Sequence, residues 1–333
     1  MCGAPEPPQP SRRLRVVATA RSYCASDGEH QTLVRDAGME LVLAAGDEPW
    51  GASDLARLAA DADALILGLD RCDADVIEAA ARLRVIARFG VGTDSVDLEA
   101  ARRRGVTVTN TPGANTVAVA ELTMGLIVAL ARDLPNSVEA TRAGAWSRRR
   151  GWELAGKTLA LLGLGRIGQA VAERARAFGM NLIAHDPYAP EVAGVERVEL
   201  AELWPRADVI SLHLDLGPAT RHIVDARALA ACKPGAVLIN TARGGLVDET
   251  ALAEALRAGR LAGAAADAFE REPPEGSPLL GLRSFVPTPH LGAATREAVR
   301  NMGVMAARDV IAVLKGGVPQ HAVVTPDEPG RSR

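Results

Sequence analysis

Three charged side chains in the second half of the chain have the chemistry that an acid–base reaction at a carbonyl group needs. Arg243 lies in NTARGG, Glu272 in DAFEREPP and His290 in PTPHLG. The planar guanidinium of an arginine can bind a carboxylate and polarise a carbonyl. A histidine can exchange a proton near neutral pH, and a carboxylate beside it stabilises its charged form. These residues predict hydride transfer on a 2-keto acid; by composition alone, Glu270 is an alternative to Glu272.

A glycine-rich turn, GLGRIG, directly follows the apolar run TLALL. Between a strand and a helix, such a turn is typical of a dinucleotide site. Gly163 permits the tight turn, Gly165 lets the backbone approach a pyrophosphate, and Gly168 lets the helix lie close to the sheet. Arg166 and Ile167 begin the helix, whose free N–H groups would face the phosphates.

Asp186 ends the next predicted strand, 18 residues after Gly168. A carboxylate there accepts hydrogen bonds from both ribose hydroxyls and repels a 2′-phosphate. The local segment His185-Asp186-Pro187-Tyr188 contains no arginine. The sequence therefore predicts NAD rather than NADP as the cofactor.

Alternating strands and helices must position these residues. Short apolar runs separated by helix-length stretches indicate βαβ units and parallel sheets. The predicted strands are 14–18, 64–67, 85–88, 106–109, 158–162, 182–185, 209–212, 236–240 and 263–267. The predicted helices are 74–83, 98–104, 117–133 (ended by Pro135), 167–178 and 296–315.

The nucleotide motif lies mid-chain, after a long stretch of separate α/β pattern. We therefore predict an α/β protein with two doubly wound parallel-sheet domains. A Rossmann NAD-binding domain at 109–292 is inserted into a flavodoxin-like substrate domain made of 1–108 and 293–333. Ligands bind at the carboxyl ends of such strands, so the cleft between the domains is the expected substrate site.

Composition excludes several other classes of protein. With 38 basic and 41 acidic residues the net charge is -3, so we expect no nucleic-acid partner. The stretch 1–10 lacks the apolar core of a secretory signal, and 117–131 is too short to span a membrane. The cysteines have no metal-type spacing, so we expect no metal and free thiols in the cytoplasm. They are Cys2, Cys24, Cys72 and Cys232.

Several motifs in the same order resemble the D-isomer-specific 2-hydroxyacid dehydrogenases, nearest to their phosphoglycerate-dehydrogenase-like branch. The resemblance covers about residues 13–318. It is carried by the segments 88–94, 110–115, 119–121, 163–168, 240–245, 267–274 and 288–292.

The resemblance implies that Arg243, Glu272 and His290 are the catalytic residues. It selects Glu272 over Glu270 because the family glutamate directly precedes a proline. It also implies that Asp267 holds the nicotinamide carboxamide. The other cofactor contacts that it implies are Thr241, Ala242, His290 and Gly292.

For the substrate, the resemblance implies a carboxylate cradle of backbone N–H groups at Val91 and Gly92, with Asn115 lining the cleft. Arg243 would bind the same substrate. The family is usually homodimeric through the nucleotide domain, so we expect a homodimer.

The chain departs from authentic phosphoglycerate dehydrogenases where their Arg-Ser pair helps to hold the substrate phosphate. Leu67 and Gly68 occupy those positions. Leu69, Arg71 and Arg88 are the nearby candidate substrate contacts, and either arginine is a candidate replacement for the phosphate-binding cation.

Two further departures concern the cofactor pocket and regulation. Asp215 stands where the family usually has proline, beside the adenosine pocket. About 18 residues follow the last predicted helix, so we expect no C-terminal regulatory domain.

The leading prediction is an NAD-dependent D-2-hydroxyacid dehydrogenase. A glyoxylate or hydroxypyruvate reductase is the alternative, because the phosphate-binding arginine is missing. Formate and phosphite dehydrogenases share the fold, but the phosphite enzymes have lysine at the position of Val91. An NADH-sensing, corepressor-like binding protein is the alternative from a different class.

Overall fold

A computed structural model describes residues 12–46, 48–146 and 148–325. The chain divides into two compact units. Of the described residues, the first unit contains those up to 114 and those from 299 to 325, and the second contains those between 115 and 298. The sequence-based boundaries lie six residues earlier at each junction, at 108/109 and 292/293. The N-terminal stretch 1–10, Cys2 and the tail from 326 lie outside the described residues.

The first unit begins with ten elements in chain order. They are β1 (Arg15–Ala18), α1 (Arg21–Ala25), α2 (Glu29–Asp36), β2 (Glu40–Leu43), α3 (Ala52–Ala59), β3 (Ala64–Leu67), α4 (Ala74–Ala79), β4 (Val85–Arg88), α5 (Leu98–Arg103) and β5 (Thr107–Thr109).

The second unit follows, and the chain then returns to the first through its last helix. The elements of the second unit are α6 (Thr116–Ala131), α7 (Leu134–Arg142), β6 (Thr158–Leu162), α8 (Arg166–Ala177), β7 (Asn181–His185), β8 (Glu196–Arg197), α9 (Leu200–Arg206), β9 (Val209–Leu212), α10 (Ala226–Ala231), β10 (Val237–Asn240), a 3-10 turn (Gly244–Leu246), α11 (Glu249–Arg257), β11 (Gly263–Ala266) and β12 (Phe285–Pro287). The chain ends its described part with α12 (Arg296–Leu314) and β13 (Ala322–Val324).

The sheet of the first unit has the strand order β2-β1-β3-β4-β5, with β13 antiparallel on the edge at β5. The five parallel strands reproduce the flavodoxin-like order. Strand β3 is buried along its whole length, as expected for a parallel strand that helices cover on both faces.

The sheet of the second unit is parallel throughout, in the order β8-β7-β6-β9-β10-β11-β12. The first six strands of the unit follow the Rossmann order, and β12 adds a seventh. Both sheets therefore confirm the predicted fold class, a Rossmann domain inserted into a flavodoxin-like one.

Two apolar layers cover the faces of the second sheet. Leu159 and Leu161 of β6 point to the layer that contains α6 and α8. Ala160 and Leu162 point to the layer that contains α9, α10 and α11. Successive side chains of β6 alternate between the two faces of the sheet, as in any strand, so helices pack against both faces.

The sequence analysis missed the strands at sheet edges and placed two helix ends too late. Strand β8 consists of two charged residues and has no apolar signal. Strand β2 has a short apolar run, 41–43, but it lies at a sheet edge and is only partly buried. Helix α4 ends at Ala79 and not at 83. Helix α6 ends at Ala131, and Asp133 then takes a left-handed backbone conformation. Pro135 lies in the first turn of α7, where the missing N–H costs no hydrogen bond, so it begins a helix rather than ending one.

Among the described residues, no helix combines the length and the apolar composition that crossing a membrane requires.

Removing apolar volume under the second sheet should destabilise the fold. We expect Leu161→Ala to lower the free energy of unfolding by about 2–5 kcal/mol, because Leu161 of β6 is 0% exposed in the apolar layer that contains α8. The matched control is Leu280→Ala, at a position that is 46% exposed. Urea unfolding of both variants checks this, and equal losses would contradict the assignment of the core.

Candidate active site

The candidate residues of the second unit follow the carboxyl ends of its strands. The glycine-rich turn follows β6 and Asp186 follows β7, while Arg243, Asp267 and His290 follow β10, β11 and β12. Strands β10, β11 and β12 are neighbours in the sheet. The parallel order therefore brings the three segments to one edge, where ligands bind in this class of sheet.

Glu272 and His290 form a direct pair. The Nδ1 atom of His290 lies 2.8 Å from Oε2 of Glu272 and 3.1 Å from Oε1. Burial disfavours the ionised carboxylate. The hydrogen bond and charge of His290, the Phe269 N–H at 3.0 Å and the Arg243 guanidinium outweigh burial and lower the pKa of Glu272 below its ordinary value. With Nδ1 engaged, Nε2 is the ring nitrogen left for a substrate proton.

Glu270, the alternative by composition, contacts a different histidine. Its carboxylate bonds Nε2 of His222. The structure therefore brings Glu272, and not Glu270, to His290.

The carboxylate of Asp267 fixes the loop that carries His290. It accepts hydrogen bonds from the Thr288 hydroxyl (2.6 Å) and from the backbone N–H groups of Leu291 and Gly292 (2.7 Å each). Asp267 is 2% exposed, so these partners compensate a carboxylate that has left water. The loop holds His290 in a left-handed conformation, with φ of 54°.

Asn240 shapes the turn that presents Arg243. Its side chain accepts from the Ala242 N–H at 3.1 Å and donates to the Arg243 carbonyl at 2.9 Å. The Arg243 guanidinium donates to the Ala242 carbonyl at 2.8 Å. The hydroxyl of Thr241 pairs with that of Thr123 in α6 at 2.8 Å, which ties the same turn to the helix.

Gly244 packs against the loop that leads to Glu272. A Cβ atom at this position would overlap the peptide between Phe269 and Glu270. Only glycine lets the Arg243 and Glu272 segments approach so closely, so the glycine after Arg243 has a packing role.

The glycine-rich turn has the shape that a dinucleotide phosphate requires. A Cβ at Gly163 would overlap the His213 carbonyl, and one at Gly168 would overlap the Gly163 carbonyl. A Cβ at Gly165 would meet no described atom within 4 Å, so the backbone is open on that side. Arg166 and Ile167 form the first turn of α8, whose N–H groups are free to face an anion.

Asp186 is held by backbone amides. It accepts from the N–H groups of Leu164 (2.8 Å), Tyr188 (2.9 Å) and Ala189 (3.0 Å). Burial raises the pKa of Asp186, but these hydrogen bonds and the charge of Arg197 lower it overall.

Arg197 is a cation beside Asp186 that sequence reasoning missed. Its guanidinium donates to the carbonyls of Asp186 (2.6 Å) and Ala189 (3.1 Å). Strand pairing between β7 and β8 brings it there from 11 residues away. The segment around Asp186 therefore does have an arginine neighbour, although not one local in sequence.

His213 also escaped the sequence analysis. It follows β9, bonds the Ser211 hydroxyl at 2.9 Å and supplies the carbonyl that packs against Gly163. Burial lowers the pKa of His213 to about 3, so this imidazole stays neutral beside the glycine-rich turn. Asp215 follows two residues later, and its backbone carbonyl accepts a hydrogen bond from the Thr220 hydroxyl at 2.7 Å.

The substrate candidates of the first unit differ in their surroundings. Arg88 is buried, and a Cβ at Gly90 would overlap its guanidinium. The Arg71 side chain is 78% exposed and lies 3.6 Å from Asp73. Leu69 is exposed on the surface of the unit.

Backbone N–H groups are available at Val91 and Gly92. Neither amide donates a hydrogen bond to another residue in the described part of the chain. In the second unit, the buried side-chain oxygen of Asn115 likewise accepts no hydrogen bond from a described residue. The two amides of the first unit can therefore donate to a ligand.

Comparisons with known proteins identify the family of the chain. The family described as "D-isomer specific 2-hydroxyacid dehydrogenase, NAD binding domain" matches residues 124–292. The chain is 49% identical over 277 residues to a D-3-phosphoglycerate dehydrogenase of Methanocaldococcus jannaschii, covering 81% of this chain and 53% of that protein. It is 44% identical over 258 residues to a hydroxypyruvate reductase of Thermotoga maritima, covering 75% and 84%.

Among solved structures, the TT0316 protein of Thermus thermophilus is similar, with a TM-score of 0.86 and 42% identity. That match covers 93% of this chain and all of the Thermus chain. The chain belongs to the D-isomer-specific 2-hydroxyacid dehydrogenase family, and its second unit contains the NAD-binding domain. It spans about half the length of the phosphoglycerate dehydrogenases that it matches.

The pair of Glu272 and His290 should make stability depend on pH. The folded-state pKa of Glu272 lies below its unfolded value, so its contribution is present above the unfolded pKa and is lost as pH falls through the folded pKa. We expect Glu272→Gln to cost about 1–2 kcal/mol near pH 6 and progressively less below about pH 4.5. Denaturant unfolding of both proteins from pH 7 to pH 3 checks this; a difference independent of pH would contradict it.

Proposed function

We propose that the chain is an NAD-dependent D-2-hydroxyacid dehydrogenase acting on a small 2-keto or 2-hydroxy acid. The observation that carries the proposal is the 2.8 Å pair of His290 and Glu272 at the carboxyl edge of a Rossmann sheet. Arg243 is close enough to lower the pKa of Glu272, so cation, acid–base group and carboxylate act in one site.

The glycine-rich turn and Asp186 fit the dinucleotide. The open backbone at Gly165 and the N–H groups at Arg166 and Ile167 would bind the pyrophosphate. Asp186 accepts three backbone hydrogen bonds, which leaves one of the roughly four lone-pair sites of its carboxylate for a ribose hydroxyl, while its charge disfavours a 2′-phosphate. The nicotinamide end would contact Thr241, Ala242, Asp267, His290 and Gly292. When bound, NAD supplies or accepts the hydride.

The side chains of this unit perform the proton chemistry. Arg243 binds the substrate carboxylate and polarises the carbonyl. In the reductive direction, Nε2 of His290 gives its proton to the carbonyl oxygen, which becomes the hydroxyl; in the oxidative direction, it takes that proton back. Glu272 keeps Nδ1 protonated and stabilises the charged ring.

Val91, Gly92 and Asn115 are the further substrate ligands in this proposal. The amides of Val91 and Gly92 suit a carboxylate. A phosphorylated substrate needs another cation, for which Arg71 and Arg88 are the candidates. Arg71 is already beside Asp73 and Arg88 is buried.

Those surroundings favour an unphosphorylated keto acid as the second candidate substrate. The similarity to the Thermotoga hydroxypyruvate reductase, 84% of which the chain covers, supports the same alternative. A glyoxylate or hydroxypyruvate reductase uses the same groups around His290 without the phosphate contact. An NADH-sensing binding protein would keep the cofactor site but turn over no keto acid.

A second copy of the chain is proposed to cover α7. This helix has no buried residue, and Leu134 and Val138 are exposed on it. Trp146 follows the helix and is 82% exposed. An apolar surface of this kind is typical of an interface, and two-fold dimers are the commonest closed assembly.

A reducing cytoplasm is the proposed location. Cys24, Cys72 and Cys232 are free thiols, and burial raises the pKa of Cys72 to about 12 and that of Cys232 to about 11. Such thiols are inert core residues in a reducing compartment.

The proposed reaction predicts NADH oxidation by keto acids in vitro. We would assay 3-phosphohydroxypyruvate, hydroxypyruvate, glyoxylate, 2-oxoglutarate, phenylpyruvate and phosphonopyruvate. His290→Gln should lower kcat by about 10²–10⁴-fold, because it removes the general acid, and leave the Kd of NADH within about twofold. The control variant is Arg206→Gln. It removes a side chain that forms an exposed ion pair with Glu196.

Selective turnover of 3-phosphohydroxypyruvate would favour a phosphate-binding cation, whereas preference for hydroxypyruvate or glyoxylate would favour the reductase. Unchanged kcat in His290→Gln would contradict the assigned role of His290. Tight NADH binding by the wild type, with no turnover of any keto acid, would contradict the dehydrogenase proposal and favour the NADH-sensing protein.

The proposed interface predicts a change in oligomeric state. Replacing exposed apolar side chains by charged ones in the double variant Leu134→Glu/Val138→Glu should convert a dimer to a monomer with an unchanged far-UV spectrum, because a buried like-charged cluster is costly. Sedimentation velocity measures this. A dimer that survives both substitutions would place the interface elsewhere.

A further inference from the structure

A second histidine–carboxylate pair lies next to the one formed by Glu272 and His290. Nε2 of His222 bonds Oε1 of Glu270, which is two residues before Glu272. The two side chains are about one-third exposed, at 35% and 36%. The proposed proton chemistry gives this pair no task.

The backbone of His222 is hydrogen-bonded to the turn that follows Arg243. Its N–H donates to the Gly245 carbonyl at 2.8 Å, and the Val224 N–H donates to the Leu246 carbonyl at 3.0 Å. His222 adopts a left-handed conformation, with φ of 50°, and an isolated parallel bridge between Val224 and Val247 follows it.

The partner, Glu270, belongs to the loop that carries Glu272. Its N–H donates to the Glu249 carboxylate at 2.9 Å, which ties the loop to the start of α11. The preceding residue, Phe269, donates its N–H to Glu272 at 3.0 Å. The pair of His222 and Glu270 therefore links two segments that already meet at Gly244.

The two pairs thus share one loop. The ring of His222 holds Glu270, and the next turn places Glu272 on Nδ1 of His290. A hydrogen-bonded pair that is about one-third exposed contributes little to global stability. A small displacement of a group that orients the acid–base residue costs far more in rate than in stability.

We propose that His222 is a positioning residue. By bonding Glu270, it fixes the position of the loop that carries Glu272 relative to the turn that follows Arg243. This inference rests on the proposed dehydrogenase function for its kinetic consequence, but its structural consequence is independent of any substrate. Loss of the ring leaves both segments in contact at Gly244 and frees the Glu270 side chain.

The central variant is His222→Gly, because glycine accepts the left-handed backbone and removes the whole side chain that bonds Glu270. We expect kcat for keto acid reduction to fall about fivefold to twentyfold, with KM and the Kd of NADH within about twofold. Glu270→Ala should have the same effect, and the double variant should be no worse than either single one. Glu270→Gln keeps an acceptor oxygen and should retain most of kcat.

Hydrogen exchange of the unliganded protein gives the readout that needs no activity. In His222→Gly and Glu270→Ala, a peptide covering 267–274 should exchange at least about threefold faster, while peptides from β6 and α8 stay unchanged. Glu196→Gln removes a different exposed ion pair of the same unit and should change neither exchange nor kcat.

Unchanged exchange at 267–274 in His222→Gly would overturn the inference. So would a variant whose kcat stays at the wild-type value while the wild type is active. A parallel rise in the Kd of NADH would make His222 a determinant of cofactor binding instead, and would also overturn it. Absence of keto acid turnover in the wild type contradicts the proposed function, whereas the exchange measurement still decides the positioning role.

Discussion

The candidate site depends on the buried carboxylate of Asp267, which needs hydrogen-bond donors within the protein interior. Asp267 ends the β11 segment and is compensated by three hydrogen bonds, all from the loop between Thr288 and Gly292. Loss of all these donors would leave an uncompensated charge in the protein interior, which costs several kcal/mol. The loop is therefore held in one conformation, and His290 is presented from it with a left-handed backbone.

The other parts of the site are built on the same edge by backbone proximity. Asn240 folds the turn of Arg243 onto itself, and Gly244 lets that turn touch the loop of Glu272. A parallel sheet makes this possible because neighbouring strands all end on the same side. The segments that follow three neighbouring strands therefore come together around the pair of Glu272 and His290. The buried Asp267 carboxylate fixes the loop after β12, the Asn240 side chain fixes the turn after β10, and close packing at Gly244 fixes the loop after β11.

The sequence predicted what local signals encode. Buried parallel strands such as β3 and β6 are continuous apolar runs, and the glycine-rich turn between β6 and α8 is readable from its spacing. Edge strands are harder to assign: β8 is only the pair Glu196–Arg197, and β2 has three consecutive apolar residues on a partly exposed strand. Pro135 was misread because a proline is equally compatible with the end of one helix and with the first turn of the next.

Contacts between residues distant in the chain could not be predicted from the sequence. Arg197 reaches the Asp186 segment only because β8 pairs with β7, and His222 reaches Glu270 from 48 residues away. The choice between Glu270 and Glu272 was likewise made by the resemblance to a known family, not by composition. Geometry now gives a physical reason for it, since each of the two carboxylates has its own histidine.

The central claim is that Glu272 stabilises the protonated ring of His290 that supplies the substrate proton. The most direct measurement is the pH dependence of kcat/KM for keto acid reduction in the wild type and in Glu272→Gln. Removal of the negative charge makes the imidazolium less stable. The account predicts that the alkaline limb, where the general acid is lost, moves to lower pH in the variant. An alkaline limb at the same pH in both proteins would contradict it.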